Sequence, residues 1–552
     1  VFETNIMAAT FDQPPSTAPR RRATPARRAS HDPFATKGMH TAAQFAIVTN
    51  RARSQYRYDV RPPQQLIDSE RKEMLHYILD DQFQHLRVLL LSSRGLSYMD
   101  INERLPRGQH EGLTLLHLAV IHASAGTVNT LLQLASANPN VKAEKGEHIP
   151  SYWRGATPLH LAAEKGYLKT LKFLIGAGAK VDMTDEQLRT PLMSAICHAT
   201  SRMGHELCAR ELVRRGADLN ARDFMGDGPF HLACDRGEVA MLLLKVISSE
   251  ATSNVLREVV VAANNARQTA LWRACDRGLE SASRFLIELG ADPNTPAGDG
   301  TSPLHIACLR GLEETVNLML GLPGSRQPAI NAAAANGQTP LHFALSHGSA
   351  AHKNIAKTLL SRGALAYGRT ATGESALHAC AQQGNVELAG VLLRQLPRGK
   401  SERIVVNQRN IAGSTPLHTA VANSQSDVAK LLMQQVGIAR GAYDVHGMTP
   451  LHLAVDKNDV KMYFLLLKSG SHRISPKELS LRNDLGWAVL HTAAFRGFEV
   501  AARMLLEANA VVDELTADGW TALQLASSQG HARTAAVLIK AGADTAYDEM
   551  KT

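Results

Sequence analysis

Any chemistry in this chain would have to come first from its histidines and cysteines, of which there are 23 and 6. Cys197-His198, His205 and Cys208 form the tightest cluster, and two thiolates with two imidazoles could hold zinc tetrahedrally. The opposing reading is structural. Cys234, Cys275 and Cys308 stand three residues after a recurring histidine or its substitute, and Cys197 and Cys380 fall one residue to either side of that position. Small packing side chains are wanted there, and cysteine supplies one. His198 and His205 only flank an insertion, so no metal site is expected. The scattered cysteines read as reduced, intracellular thiols rather than a disulfide framework. No glycine-rich phosphate loop leads into a helix with the lysine that nucleotide binding needs. Nor can a nucleophile–base pair be picked out. No catalytic, cofactor-binding or metal residue is assigned, and an enzyme is not expected.

The elements that would position these residues are repeats. Thr157-Pro158-Leu159-His160-Leu161-Ala162 recurs, with only its fifth position changed, at Thr339–Ala344, Thr415–Ala420 and Thr449–Ala454, and with Ser for Thr at Ser302–Ala307. Five fixed positions arise by chance about once in a few million starts. Weaker copies fill the gaps. The position of His160 is held in turn by His117, His160, Met193, His231, Trp272, His305, His342, His378, His418, His452, His491 and Gln524, at steps of 33 to 43 residues.

Local chemistry predicts what one unit does. Thr157 suits a helix N-cap, its hydroxyl accepting from an orphan backbone N–H, and Pro158 fits the first helical position. Gly166 ends the short helix in a left-handed turn. A second helix buries Leu168, Leu171, Leu174 and Ile175, and Asp182–Thr190 supplies a turn. A unit with two such faces cannot bury them alone, so stability must come from stacking.

The pattern resembles the ankyrin repeat family over about residues 105–545. The resemblance implies an all-α solenoid of antiparallel helix pairs with β-turn fingers, whose fingers and inner helices commonly form a concave partner-binding surface. It also implies that the nine repeat histidines are structural, bonding to backbone and steadying neighbouring fingers. Residues 63–104 look like a degenerate capping repeat, with helices at 66–79 and 82–93. Residues 1–62 read as a disordered basic arm and 546–552 as a short tail.

The net charge of +9 belongs mostly to that arm. Residues 1–62 hold ten Lys or Arg against four Asp or Glu, a surplus of six that leaves only three for the other 490 residues. No strong nucleic-acid binding by the solenoid is expected. No apolar run is long enough for a transmembrane helix. Arg21-Arg22-Ala23-Thr24 and Arg27-Arg28-Ala29-Ser30 resemble sites for basophilic kinases, which makes Ser30 and Thr24 candidate phosphorylation sites. The same arginines could serve nuclear import of an otherwise cytoplasmic protein.

One position varies informatively: the residue just before each helix cap, at the base of each finger. Its last three occupants are Met448, Trp487 and Trp520, large and apolar at matching sites of consecutive repeats. In the family this position is normally exposed. An aromatic row there, with Tyr443, Val445 and Leu485 nearby and Asp484 and Asp518 as an acidic rim, reads as a partner-binding hot spot. The competing reading is that the tryptophans only stiffen the fingers. Phe224-Met225 on the fourth finger is a second candidate. The insertions near 136–150, 247–257, 394–405 and 471–480 read as polar surface loops. Together these residues point to a non-catalytic scaffold or adaptor, monomeric alone, that binds one or more proteins without a cofactor. The alternative is the ankyrin region, or a regulatory or inhibitory subunit, of a larger signalling or transcription assembly.

Overall fold

A computed structural model describes residues 64–92, 99–106, 110–144, 150–199, 203–396, 400–468 and 474–545. Among these, twelve helix pairs follow one another, from Leu115–His122 with Ala125–Leu134 to Ala522–Ser528 with Ala532–Lys540. A further pair, Gln64–Leu79 and Phe83–Ser92, precedes them.

The first helix of each pair begins as cap chemistry dictates. Thr449 is extended (φ −87°, ψ 165°), Pro450 occupies the first turn, and the helix runs Pro450–Asp456. The threonine hydroxyl does two things rather than the one expected. In Thr449 it lies 3.3 Å from the His452 backbone N–H that it accepts from, and 2.7 Å from the ring nitrogen Nδ1 of the same histidine. In Thr157 only the ring contact, 2.8 Å to His160 Nδ1, is made. Gly166 turns left-handed at φ +71°, as expected for the end of the first helix. On the second helix Leu171 and Leu174 are fully buried, while Leu168 and Ile175 are only partly covered.

Stacking buries these faces. Each first helix rests on the first helices before and after it, and each second helix on its own neighbours. One hydrophobic core therefore continues from Met74 and Ile78 to Leu538 and Ala543. The Phe83–Ser92 helix packs on Ala125–Leu134, so the opening pair joins the stack.

The insertions are not bare loops. Ser253–Val261, Lys400–Val406 and Pro476–Leu479 are helical, and Ser151–Trp153 forms a 3-10 turn. Val259, Val260, Val405, Val406 and Leu479 are buried, so these segments are tied to the core by a few apolar side chains. Their polar residues made them look like surface loops.

Between pairs the chain runs out to a tight turn and back. Two isolated antiparallel bridges, Ala263 with Thr269 and Arg369 with Ser375, are the only β pairing among the described residues. The fingers are instead joined to each other. Phe224 N–H donates to Gln187 O (3.1 Å), Ile411 N–H to Thr372 O (2.9 Å), Val445 N–H to Ala412 O (3.0 Å) and Asp484 N–H to His446 O (3.2 Å).

Candidate partner-binding fingers

Most fingers, numbered with the repeat they precede, are built around an Asx turn, and in fingers 8 and 12 the hydroxyls of Thr370 and Thr516 take the place of the carboxylate or amide oxygen. Asp444 Oδ1 accepts from His446 and Met448 N–H, both at 2.9 Å. Asn483 Oδ1 accepts from Leu485 (3.1 Å) and Trp487 (3.0 Å) N–H. Gly447 and Gly486 follow with φ +66° and +71°. A Cβ on Gly486 would stand 2.3 Å from Ala517 Cβ, so only glycine lets fingers 11 and 12 approach this closely.

In six fingers the base residue is held by the histidine one repeat earlier, whereas His305 and His491 bond instead to Ala332 O and Glu514 O. The backbone N–H of Thr449 donates to His452 Nδ1 (3.3 Å), so that nitrogen carries no proton and Nε2–H is the donor. It donates to Trp487 O at 3.0 Å. The same bond joins His418 to Met448 O (3.1 Å), His378 to Ser414 O (3.0 Å) and His117 to Ala156 O (3.1 Å). Burial pushes His117, His160, His231, His342 and His452 down to about 4, which keeps the rings neutral. Where tryptophan replaces histidine, Trp272 Nε1–H donates to Thr301 Oγ1 at 3.0 Å and keeps the link.

Fingers 9 to 11 present an apolar row at their tips. Ile411 is 73% exposed and Leu485 61%, with Val445 exposed between them. Met448, Trp487, Trp520 and Tyr443 lie behind the tips and are half-buried rather than fully exposed. Trp487 leans on Phe495, ring centroids 4.9 Å apart. Met448 Sδ accepts from Asn483 Nδ2 at 3.5 Å, across to the next finger. Asp484 and Asp518 are exposed. The neighbouring cations are engaged: Arg482 pairs with Glu514 at 3.5 Å and Arg409 donates to Tyr443 O.

The other candidates lie apart from this row. Phe224 and Met225 are exposed at the tip of finger 4, above an ion pair of the buried Asp227 with the half-buried Arg273 at 3.2 Å. His205 Nε2 bonds to Glu164 O (2.8 Å), His198 Nδ1 lies 3.0 Å from Ser194 O, and Cys208 is buried on the second helix, its thiol pushed up to about 12 by burial. Among the described residues no group of three or more His, Cys, Asp or Glu could hold a metal ion. Thr24 and Ser30 lie outside the described residues.

The family model for ankyrin repeats in sets of three matches residues 141–223, 197–297, 230–329, 304–402, 377–478 and 472–548, and the single-repeat model matches 111–144. This chain belongs to the ankyrin repeat family. Its fold is an all-α ankyrin solenoid. Mouse (Mus musculus) Rabankyrin-5 is 32% identical over 217 residues, which is 37% of this chain and 18% of the relative. The human (Homo sapiens) transient receptor potential cation channel subfamily A member 1 is 23% identical over 436 residues, 71% of this chain and 36% of the relative. Among solved structures, the ankyrin repeat domain of Bcl-3 aligns at 26% identity with a TM-score of 0.37, over 44% of this chain and 99% of that one. The chain thus spans well under half the length of these two curated relatives. No described helix is long and apolar enough to cross a membrane.

Two features of this ankyrin array escaped the sequence reading. Ile411 occupies the same tip position as Val445, and that alignment was the available signal. The second is a set of asparagine bridges. Asn407 Nδ2 donates to Gly437 O and its Oδ1 accepts from Ala439 N–H, both at 2.8 Å. Asn331 binds Gly363 O (3.2 Å) and Leu365 N–H (2.8 Å) in the same way.

Proposed function

We propose that this ankyrin array is a non-catalytic protein-binding scaffold or adaptor, with fingers 9 to 12 as its anchor. The observation that carries the reading is the apolar row Ile411, Val445 and Leu485 on fingers tied together through their backbones. Apolar side chains on a rigid support lose little entropy when a partner covers them. Met448 and Trp487 behind the row supply the larger area that hot spots need. Asp484 and Asp518 favour a partner with basic residues beside its apolar ones. Ankyrin repeats are in general interaction modules, and the repeat histidines here serve the fold rather than a reaction.

A second reading, the ankyrin region of a larger assembly, is favoured by one observation: the curated relatives extend far beyond the matched segment.

A photo-reactive benzoylphenylalanine at position 485, compared with one at 186 on finger 3, tests the site in cells that express the protein. One protein is expected to cross-link at 485 and not at 186. The same products at both positions, or none at 485, would remove the fingers from the account.

A further inference from the structure

The third and fourth residues of the segment 150–154 and the end of the next helix make a cation site far from the C-terminal fingers. Trp153 and Tyr152 stand edge to face, centroids 6.0 Å apart at 81°. Tyr152 is exposed, and its ring lies 5.7 Å from that of His198 in the following repeat. Glu164, the last residue of the Pro158–Glu164 helix, has a side chain only 8% exposed. Its carboxylate accepts from Trp153 Nε1–H at 2.6 Å. Its backbone carbonyl accepts from His205 Nε2, which fixes the helix end.

A cation already occupies this corner. The ammonium of Lys165 lies 5.5 Å above the Trp153 ring and 3.7 Å from Glu164 Oε1. An aromatic face and a carboxylate both attract positive charge, and the attraction grows as water is excluded. Lys165 is a weak occupant, however. It is 37% exposed, its ammonium is strongly hydrated, and no hydrogen-bond distance to the carboxylate is reached. A nearly buried carboxylate is therefore neutralised by a neighbour that can swing away.

We infer that Tyr152, Trp153 and Glu164 form a binding site for an alkylated ammonium group, a methylated lysine side chain of a partner protein, with Lys165 as its displaceable plug. Methyl groups lower the hydration of the ammonium and add surface against the rings. A dimethylated lysine keeps one N–H to donate to Glu164, whereas a trimethylated one keeps none, so the carboxylate favours the dimethyl form. This site is independent of fingers 9 to 12, and either can fail alone.

Isothermal titration of the full chain with two short peptides, carrying dimethyl-lysine or Nε-acetyl-lysine, tests it. Lys165→Ala is expected to bind the dimethyl peptide about tenfold more tightly than the acetyl one, and more tightly than the unsubstituted chain does. Glu164→Gln in the Lys165→Ala background keeps an acceptor for Trp153 Nε1–H and removes only the charge, so the preference should vanish. Matched melting curves control for folding, and Trp153→Phe retains a ring if Trp153→Ala does not fold. No preference in Lys165→Ala, no binding of either peptide, or a preference that survives Glu164→Gln overturns the assignment.

Discussion

His452 Nε2 donates to the carbonyl oxygen of Trp487 at 3.0 Å, across 35 residues of chain. A motif residue of repeat 10 thereby holds the finger-base residue of repeat 11. Support and binding are the same structure here. The bonds that stack the repeats also fix the side chains offered to a partner.

Replacing that histidine should loosen the finger it supports. His452→Ala leaves Thr449 N–H and Trp487 O without their partner and should cost about 1–3 kcal/mol. Gln524 shows a milder alternative, since its Oε1 accepts the Thr521 cap N–H at 3.0 Å. His452→Gln should therefore cost less than His452→Ala. Urea melts give the order of the two variants, and amide exchange should quicken at residues 483–487 in His452→Ala before it does elsewhere.

Stability should depend on the same histidines through pH. Their ordinary value is 6.5, and burial lowers five of them to about 4 in the folded chain. Folded rings stay neutral while unfolded ones take up protons below 6.5. Their contribution is therefore complete above pH 6.5 and falls as pH drops toward 4, at about 1.4 kcal/mol per pH unit for each ring. The urea midpoint should fall between pH 6.5 and 5, and less steeply in His452→Gln. A midpoint flat over that range would contradict neutral buried rings.

The asparagine bridges predict an unusual sensitivity to a conservative change. Asn407→Ala loses bonds to Gly437 and Ala439 and should cost about 1–3 kcal/mol. Asn407→Asp should be no better. It turns a carboxylate oxygen toward Gly437 O and Arg403 O, to which Asn407 Nδ2 now donates at 2.8 Å each. Thermal melts of the two variants test this directly.

The ion pair beneath finger 4 can be isolated by a double change. Arg273 reaches Asp227 at 3.2 Å and Asp235 at 3.1 Å. Arg273→Ala leaves the buried Asp227 carboxylate without its ion-pair partner, though Asn264 Nδ2 still donates to it at 2.8 Å, and should cost about 3 kcal/mol. Adding Asp227→Asn removes the stranded charge and should recover part of that loss. Full additivity of the two changes would show that the pair is not coupled.

What the sequence discloses here depends on distance along the chain. The cap Thr449-Pro450 and its histidine lie within four residues, so local chemistry announces them. The helix Pro476–Leu479 also had a local signal that was missed: Ser475 and Glu478 form a capping box, with Ser475 N–H donating to Glu478 Oε2 at 2.8 Å. Ser253–Val261 had none as clear, because it is held by burial of Val259 and Val260 in the stack. Asn407 meets its partners 30 and 32 residues away, which only the register of stacked repeats can reveal. Trp487 reads as exposed from its repeat position, yet Phe495 of its own first helix covers one side of it. The candidate anchor is accordingly a row of exposed aliphatic tips backed by half-buried aromatics.

Affinity capture from native lysate, quantified by mass spectrometry, tests the central claim most directly. The chain is compared with its Trp487→Ala/Trp520→Ala variant after both are shown to melt alike. The account predicts at least one protein retained by the unsubstituted chain and lost from the variant. Identical sets of captured proteins would contradict it and leave the tryptophans as supports of the fingers alone.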